Sequence, residues 1–356
     1  MKKILLAAMV GICITSCTGN EDFEAANNAP KKISFASPLV KTTTRGQYSP
    51  EIGEFKFNDY NVNEWFHVYA VLTDGTYKGT EDWSTKFMDE DAKPYKVYEY
   101  SYPDYWEPIK PYYWPKNPNL YITFAAFSPA RASGEKTYDG TGLTITDFEL
   151  PMDRGTQYEL LYSKRAFNKK QNDNTQGQYL GVNIEFQRAL SAIDLNVSTD
   201  NGEGKVWLKR LSIVGARDKA TFKENVTNQA TTYVANPEWT NHSFKNAPTN
   251  TSEREAFNGP SYDIGQSQVD RENSFMIPQT LSDDVKLIIE WEYQNGDRID
   301  KEQDSYTLQL NTLNIKTWEP GKKYTYNIKI NLDKIYFNPS VEDWSTATPS
   351  IGNVTP

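Results

Sequence analysis

From Trp65 onward, apolar and polar residues alternate with a period of two. In "EWFHVYAVL" the residues Phe66, Val68, Ala70 and Leu72 share one side. In "VNIEFQ" they are Val182, Ile184 and Phe186, and in "IDLNV" they are Ile193, Leu195 and Val197. The clearest case is "YTYNIKINL". Tyr324, Tyr326, Ile328, Ile330 and Leu332 face one way, and Thr325, Asn327, Lys329 and Asn331 face the other. A period of two marks a strand with one buried face. "LYITFAAF" (120–127) is apolar on both sides, as a strand covered on both faces would be. "GLTITDFEL", "YELLYS", "VKLIIEWEY" and "YTLQL" add further strands, and "NGEG" at 201–204 is a turn between two of them. No long stretch keeps a helical period. Many short strands with frequent turns predict an all-β chain built of β-sandwiches.

Two features divide the chain. The polar run "KKQNDNTQGQ" (169–178) holds no large apolar residue and predicts a boundary between residues 46–176 and 177–356. A second polar stretch, 241–273, predicts a long loop in the second unit. Ahead of both units, "KKISFASPLVKTTTRG" (31–46) places Ile33, Phe35 and Leu39 on alternate positions of an isolated strand. Three threonines, Arg45 and Gly46 follow it.

At 356 residues the chain has room for two domains of about 150 residues each. The aromatic content, with 23 Tyr, 16 Phe and 9 Trp, strengthens the β reading, because aromatic side chains suit pleated, half-buried surfaces. The net charge of -9 argues against a nucleic-acid-binding surface.

The two cysteines, Cys13 and Cys17, both precede the strand patterns, so the folded region carries no disulfide and no thiolate chemistry. Residues 1–16 have the parts of a secretory signal. Lys2 and Lys3 are the charged start, and Ile4 to Ile14 form an apolar run too short for the ~20 residues that span a bilayer. Ile14-Thr15-Ser16-Cys17 resembles a bacterial lipobox, which implies cleavage before Cys17 and lipidation of its thiol. Glu21, Asp22 and Glu24 then resemble an acidic signal for export to the outer surface.

Candidate chemistry is sparse. His67 alternates with Trp65 and Tyr69 and reads as a satisfied histidine on a sheet face. No phosphate loop, nucleotide fingerprint or calcium-loop spacing is present, and neither cofactor nor metal is expected. "YSYPDYWEPIKPYYWP" (100–115) is the exception. Its Tyr105, Trp106, Tyr112, Tyr113 and Trp114 suit either stacking on a sugar or packing beneath a proline-stiffened loop.

Several segments together resemble the fimbrillin family of type V pilus subunits, especially its Mfa-like branch. They are "YYWPKNPNLYITFAAFSP" (112–129), "VNIEFQRALSAIDLNV" (182–197), "FMIPQTL" (275–281) and "WEPGKKYTYNIKINLDKIYFNPSVEDW" (318–344), in the family's order. The resemblance implies two tandem transthyretin-like β-sandwiches of Greek-key type. It implies a lipoprotein precursor carried to the cell outer membrane, residues 17–45 being a lipidated tether with a removable strand. An arginine-specific protease would cut after Arg45, before Gly46. The groove left by Ile33, Phe35 and Leu39 would be filled by the C-terminal strand of another fimbrial subunit, and the fimbria would meet a host or bacterial surface receptor or glycan. Here Pro349, Gly352 and Pro356 interrupt the end of the chain. The donor strand, sought within 335–356, is therefore expected to start early, with Ile335, Phe337 and Val341. That departure leaves stalk, tip and anchor roles open. A surface-anchored glycan binder using the 100–115 aromatics is the rival reading.

Overall fold

The computed structural model describes residues 31–36, 39–40, 65–95, 105–151, 156–171, 181–199, 204–227, 230, 232–245, 253–263, 269–295, 302–330 and 335–343. Among them there is no α-helix. Ten strands come first: β1 (Leu39–Val40), β2 (Phe66–Asp74), β3 (Met88–Tyr95), β4 (Tyr105–Pro108), β5 (Leu120–Ser128), β6 (Glu135–Asp139), β7 (Gly142–Glu149), β8 (Leu161–Ser163), β9 (Ala166–Lys169) and β10 (Glu185–Arg188). The next eight are β11 (Ser191–Ser198), β12 (Gly204–Val214), β13 (Lys219–Lys223), β14 (Val226–Thr227), β15 (Val234–Ala235), β16 (Glu238–Ser243), β17 (Glu253–Asp263) and β18 (Val269–Met276). The last are β19 (Gln279–Thr280), β20 (Lys286–Asn295), β21 (Glu302–Gln309), β22 (Thr317–Trp318), β23 (Lys322–Ile330) and β24 (Ile335–Asp343).

They form two sandwiches. In the first, a large sheet ordered β1-β10-β8-β5-β2-β3-β4 faces a four-stranded sheet ordered β16-β13-β7-β6. Alternation on the central strands serves two cores. Tyr69, Val71, Ala125 and Phe127 pack toward the four-stranded sheet with Ile145, Phe148, Phe222 and Trp239. Phe66, Val68, Ala70, Ile122, Phe124 and Ala126 line the opposite face with Ile33, Phe35, Trp106, Trp114 and Phe186. The doubly apolar "LYITFAAF" is thus covered on both faces, as its pattern predicts. In the second sandwich, β18-β11-β23-β24 faces β17-β12-β20-β21. Its single core includes Ile193, Leu195, Val197, Leu208, Leu211, Leu287, Ile289, Trp318, Tyr326 and Ile328. β11 and β23 run parallel, from Ala192↔Lys323 to Ser198↔Lys329.

The division at 176/177 does not coincide with these layers. β10 pairs with β8 in the first sandwich. After β12 the chain returns there, so that β13 lies between β7 and β16. The open edge of β7 accepts Lys219–Lys223, and Ala220, Phe222 and Trp239 fill that core. The strands on either side of the run at 169–178, β9 and β10, belong to one sheet. The stretch 241–273 is likewise no single loop, for it contains the end of β16, all of β17 and part of β18. The two sandwiches also share bonds. The Gln157 side chain, between β7 and β8, donates to Phe275 O of β18 (3.2 Å) and accepts from Phe275 N (3.0 Å).

Candidate functional site: a strand held on both edges

The N-terminal segment joins the two ends of the large sheet. On the β4 side, Phe35 and Trp106 exchange both backbone hydrogen bonds at 2.8 Å. Ile33 N donates to Tyr112 O (2.8 Å), and Trp114 N donates to Lys31 O (3.0 Å). On the β10 side, Val182 N donates to Ser34 O (2.8 Å) and Ala36 N to Val182 O (3.0 Å). The pairing continues in parallel through Leu39↔Glu185 and Val40↔Phe186. One short segment is therefore hydrogen-bonded along both edges, as a strand in the middle of a sheet is.

Its side chains fill the core beneath. Ile33 is 1% exposed and Phe35 0%. The Phe35 ring meets Phe66 and Phe124 edge-on, with centroids 5.5 and 5.6 Å apart. Burying one such ring contributes about 2 kcal/mol. Gly181 makes the close approach possible. Its φ is +148°, and a Cβ there would lie 2.4 Å from the Phe35 carbonyl carbon and 2.5 Å from Ala36 N. Alternation in the sequence finds Ile33 and Phe35. It misses Gly181 and the carbonyls of Trp106 and Tyr112, whose role is to offer backbone; the only signal is a glycine directly before the alternating Val182-Asn183-Ile184.

The aromatic segment splits in two. Trp106 and Trp114 are core residues, 1% and 3% exposed, which removes both from the set that could meet a ligand. Their neighbours lie nearer the surface, with Tyr105 and Tyr112 half-buried. Tyr105 stacks on Tyr95 at 4.7 Å, Tyr112 tilts against Phe87 at 5.8 Å, and Tyr113 is exposed. The segment forms one wall of the groove that holds residues 31–36.

At the other end, β24 is the edge strand of the second sandwich. It pairs with β23 from Ile330↔Ile335 to Lys322↔Asp343. Ile335 and Phe337 are half-buried against the core, Phe337 stacks on Tyr306 at 5.8 Å, and Val341 is 54% exposed. Lys322 and Asp343 form an exposed ion pair near its end. Cys17, Arg45 and Gly46 lie outside the described residues.

Ionisable groups elsewhere serve the fold. His67 is bonded through Nδ1 to Asp91 (2.7 Å) and through Nε2 to Asp89 (2.8 Å), and stacks on Phe127, the satisfied histidine that the alternation predicts. It borders a surface hollow of about 330 Å³ with Tyr69, Lys86 and Lys136. The buried Arg165 donates to the hydroxyls of Tyr138 (3.0 Å) and Tyr77 (2.9 Å). Glu224 accepts from Leu143 N (2.7 Å) and the Tyr233 hydroxyl (2.7 Å). Burial pushes the Glu224 carboxyl up to about 7, against these bonds and the pull of Arg165. The described residues contain no group of three metal-ligating side chains and no helix long and apolar enough to cross a membrane.

Among solved structures, a fimbrial protein from Bacteroides vulgatus is similar over 88% of this chain and 99% of its own, at 17% identity and a TM-score of 0.58. A candidate cell adhesion protein from Bacteroides uniformis is similar over 89% of this chain and 98% of its own, at 13% identity and a TM-score of 0.50. These likenesses establish the shared fold. No curated protein matches the chain. The fimbrillin-like family model matches residues 57–344, from before β2 to just past β24. The chain belongs to the fimbrillin-like family, which places it among the subunits of surface fimbriae.

Proposed function

We propose that this fimbrial subunit is exported as a lipoprotein through Cys17, held at the outer membrane, and cut after Arg45 by an arginine-specific protease. It then polymerises by strand addition in fibres that serve adhesion. Removing residues 1–45 takes away six Lys/Arg and three Asp/Glu, so the formal charge becomes -9 - 6 + 3 = -12. The acidic body is then severed from its lipid.

One observation carries the reading. Residues 31–36 are bonded on both edges and bury Ile33, Phe35 and Ala36 in the core, yet they precede a stretch ending in Thr44-Arg45-Gly46. Removing a segment so held opens two unpaired edges and an apolar slot together. Such edges are templates for another strand. The glycan-binding rival loses support, since Trp106 and Trp114 lie in the core.

Arg45→Ala tests the proposal. While the resident segment stays attached, its effective concentration is on the order of mM or higher, and it outcompetes an incoming strand. The variant is expected to accumulate as folded, unpolymerised precursor, seen by electron microscopy of cells and by size analysis with and without trypsin. Fibres as abundant as in the wild type would overturn the reading.

A further inference from the structure

The resident segment and the C-terminal edge strand carry the same side-chain spacing. Ile33, Phe35 and Leu39 at one end of the chain correspond to Ile335, Phe337 and Val341 at the other, each set preceded by a lysine, Lys32 or Lys334. We propose that residues 335–342 of a second copy of this chain enter the groove in the register this repeat defines. Ile335 takes the place of Ile33, Phe337 that of Phe35 and Val341 that of Leu39. The inference rests on the strand-addition reading and adds the register and the identity of the occupant.

Three observations support this register. The first is phase. Within β24, Ile335, Phe337 and Pro339 are half-buried while Tyr336, Asn338 and Ser340 are exposed, the same in-and-out order as Ile33, Ser34 and Phe35. The second is backbone chemistry. The groove draws on the N–H groups of residues 33, 35 and 36. Their counterparts are Ile335, Phe337 and Asn338, none of them proline, so Pro339 falls after the last of these donors. A shift of two residues that put Phe337 in the place of Ile33 would put Pro339 in the place of Phe35 and lose the bond to Trp106 O. The third is burial. Ile335 and Phe337 are only half-buried in their own sandwich, whereas Ile33 and Phe35 sit at 1% and 0% exposure. Transfer into the groove removes further apolar surface from water. Gly181, with no side chain above the Phe35 carbonyl, accepts any strand whose backbone follows that path.

The register can be read by cross-linking, because a chain starting at Gly46 has no cysteine. Leu39 pairs with Glu185, so Val341 of one copy should lie opposite Glu185 of the next. Val341→Cys combined with Glu185→Cys, in trypsin-processed protein under mild oxidation, is expected to give a ladder of covalent multimers on non-reducing gels. Pro339→Cys or Asp343→Cys with Glu185→Cys should give at least several-fold less. A ladder strongest with position 339 or 343 would overturn the register and leave strand addition standing. Fibres that form with no ladder from any of the three positions would overturn strand addition by this segment altogether. Phe337→Asn provides a second readout. It should leave the precursor monomeric and folded and abolish fibres; unchanged fibres would also overturn the inference.

Discussion

The two sandwiches solve the problem of sheet edges in opposite ways. The second is self-contained: eight strands in two sheets close over one core, and β24 is an edge strand with no described strand paired along its far side. The first relies on residues 31–36 and 39–40, which come from beyond the stretch that the family model matches and pair with both ends of its large sheet. The second unit's edge strand has its Ile335 and Phe337 half-buried, whereas the first unit buries Ile33 and Phe35 completely; under the proposed strand addition, the one would lend a strand and the other would depend on it. That asymmetry is what a head-to-tail polymer requires, because a heterologous contact between unlike surfaces propagates without closing.

The sharpest way to break the comparison is to truncate the corresponding rings. Phe35→Ala removes a fully buried ring from the first core and should destabilise the precursor by about 3–5 kcal/mol. Phe337→Ala removes a half-buried ring from an edge and should cost roughly 1 kcal/mol. Denaturant unfolding of the two precursors measures the difference; equal losses would mean that the strands are held alike.

Next in size is an effect confined to the first sandwich. The Glu224 carboxyl titrates at about 7 in the folded chain, above its usual value of 4.5, because burial penalises its charge. Folding therefore takes up a proton between these values. The first sandwich should be most stable below about pH 4.5 with respect to this group and lose on the order of 3 kcal/mol as pH rises through 7. Glu224→Gln keeps one acceptor for Leu143 N–H and should flatten that slope. Thermal melts of both proteins between pH 5 and 8 decide it, and an unchanged slope would count against Glu224 as its source.

A third contrast compares two glycines at positive φ. Gly181→Ala places a methyl group within 2.4–2.5 Å of the Phe35 and Ala36 backbone, and should cost about 1–3 kcal/mol and loosen the N-terminal segment. At Gly321, near the turn into β23, the nearest atom to such a methyl is Arg188 O at 3.6 Å, so Gly321→Ala meets only the φ penalty of roughly 1 kcal/mol. Limited proteolysis should cut residues 31–40 faster in the first variant alone.

Much of this comparison is legible in the sequence, and the failures share a cause. Period-two alternation picks out strands such as β10 and β23, but it shows only one apolar side of β2, whose other side, with Tyr69 and Val71, faces a second core. It also marks Ile33 and Phe35 as inward-facing. It cannot assign a strand to a sandwich, since β13 and β16 reach the first core after the chain has already built β11 and β12 of the second. Polar composition misleads in the same way. The runs at 169–178 and 241–273 are polar, but one connects strands of a single sheet and the other contains strands. The aromatic segment shows the remaining limit: Trp106 and Trp114 read equally well as ligand platform or as core until the curl of the sheet buries them.

The smallest effect is also the most discriminating. Val341 is 54% exposed in β24, so Val341→Thr, which keeps a β-branched side chain, should leave precursor stability within about 0.5 kcal/mol of wild type. In the fibre the same residue would stand in the place of Leu39, opposite Glu185 of the next subunit. Exchanging a methyl for a hydroxyl at such a joint should cost about 1 kcal/mol per contact, a five-fold faster loss of subunits. Precursor melts and fibre disassembly in dilute denaturant, followed side by side, separate the two states. A variant that weakens fibres and spares the precursor places Val341 in the joint between subunits. A variant that spares both confines the grip of the groove to Ile335 and Phe337. Loss of precursor stability alone would show that β24 is an integral wall of its own sandwich, and the asymmetry between the two units would then disappear.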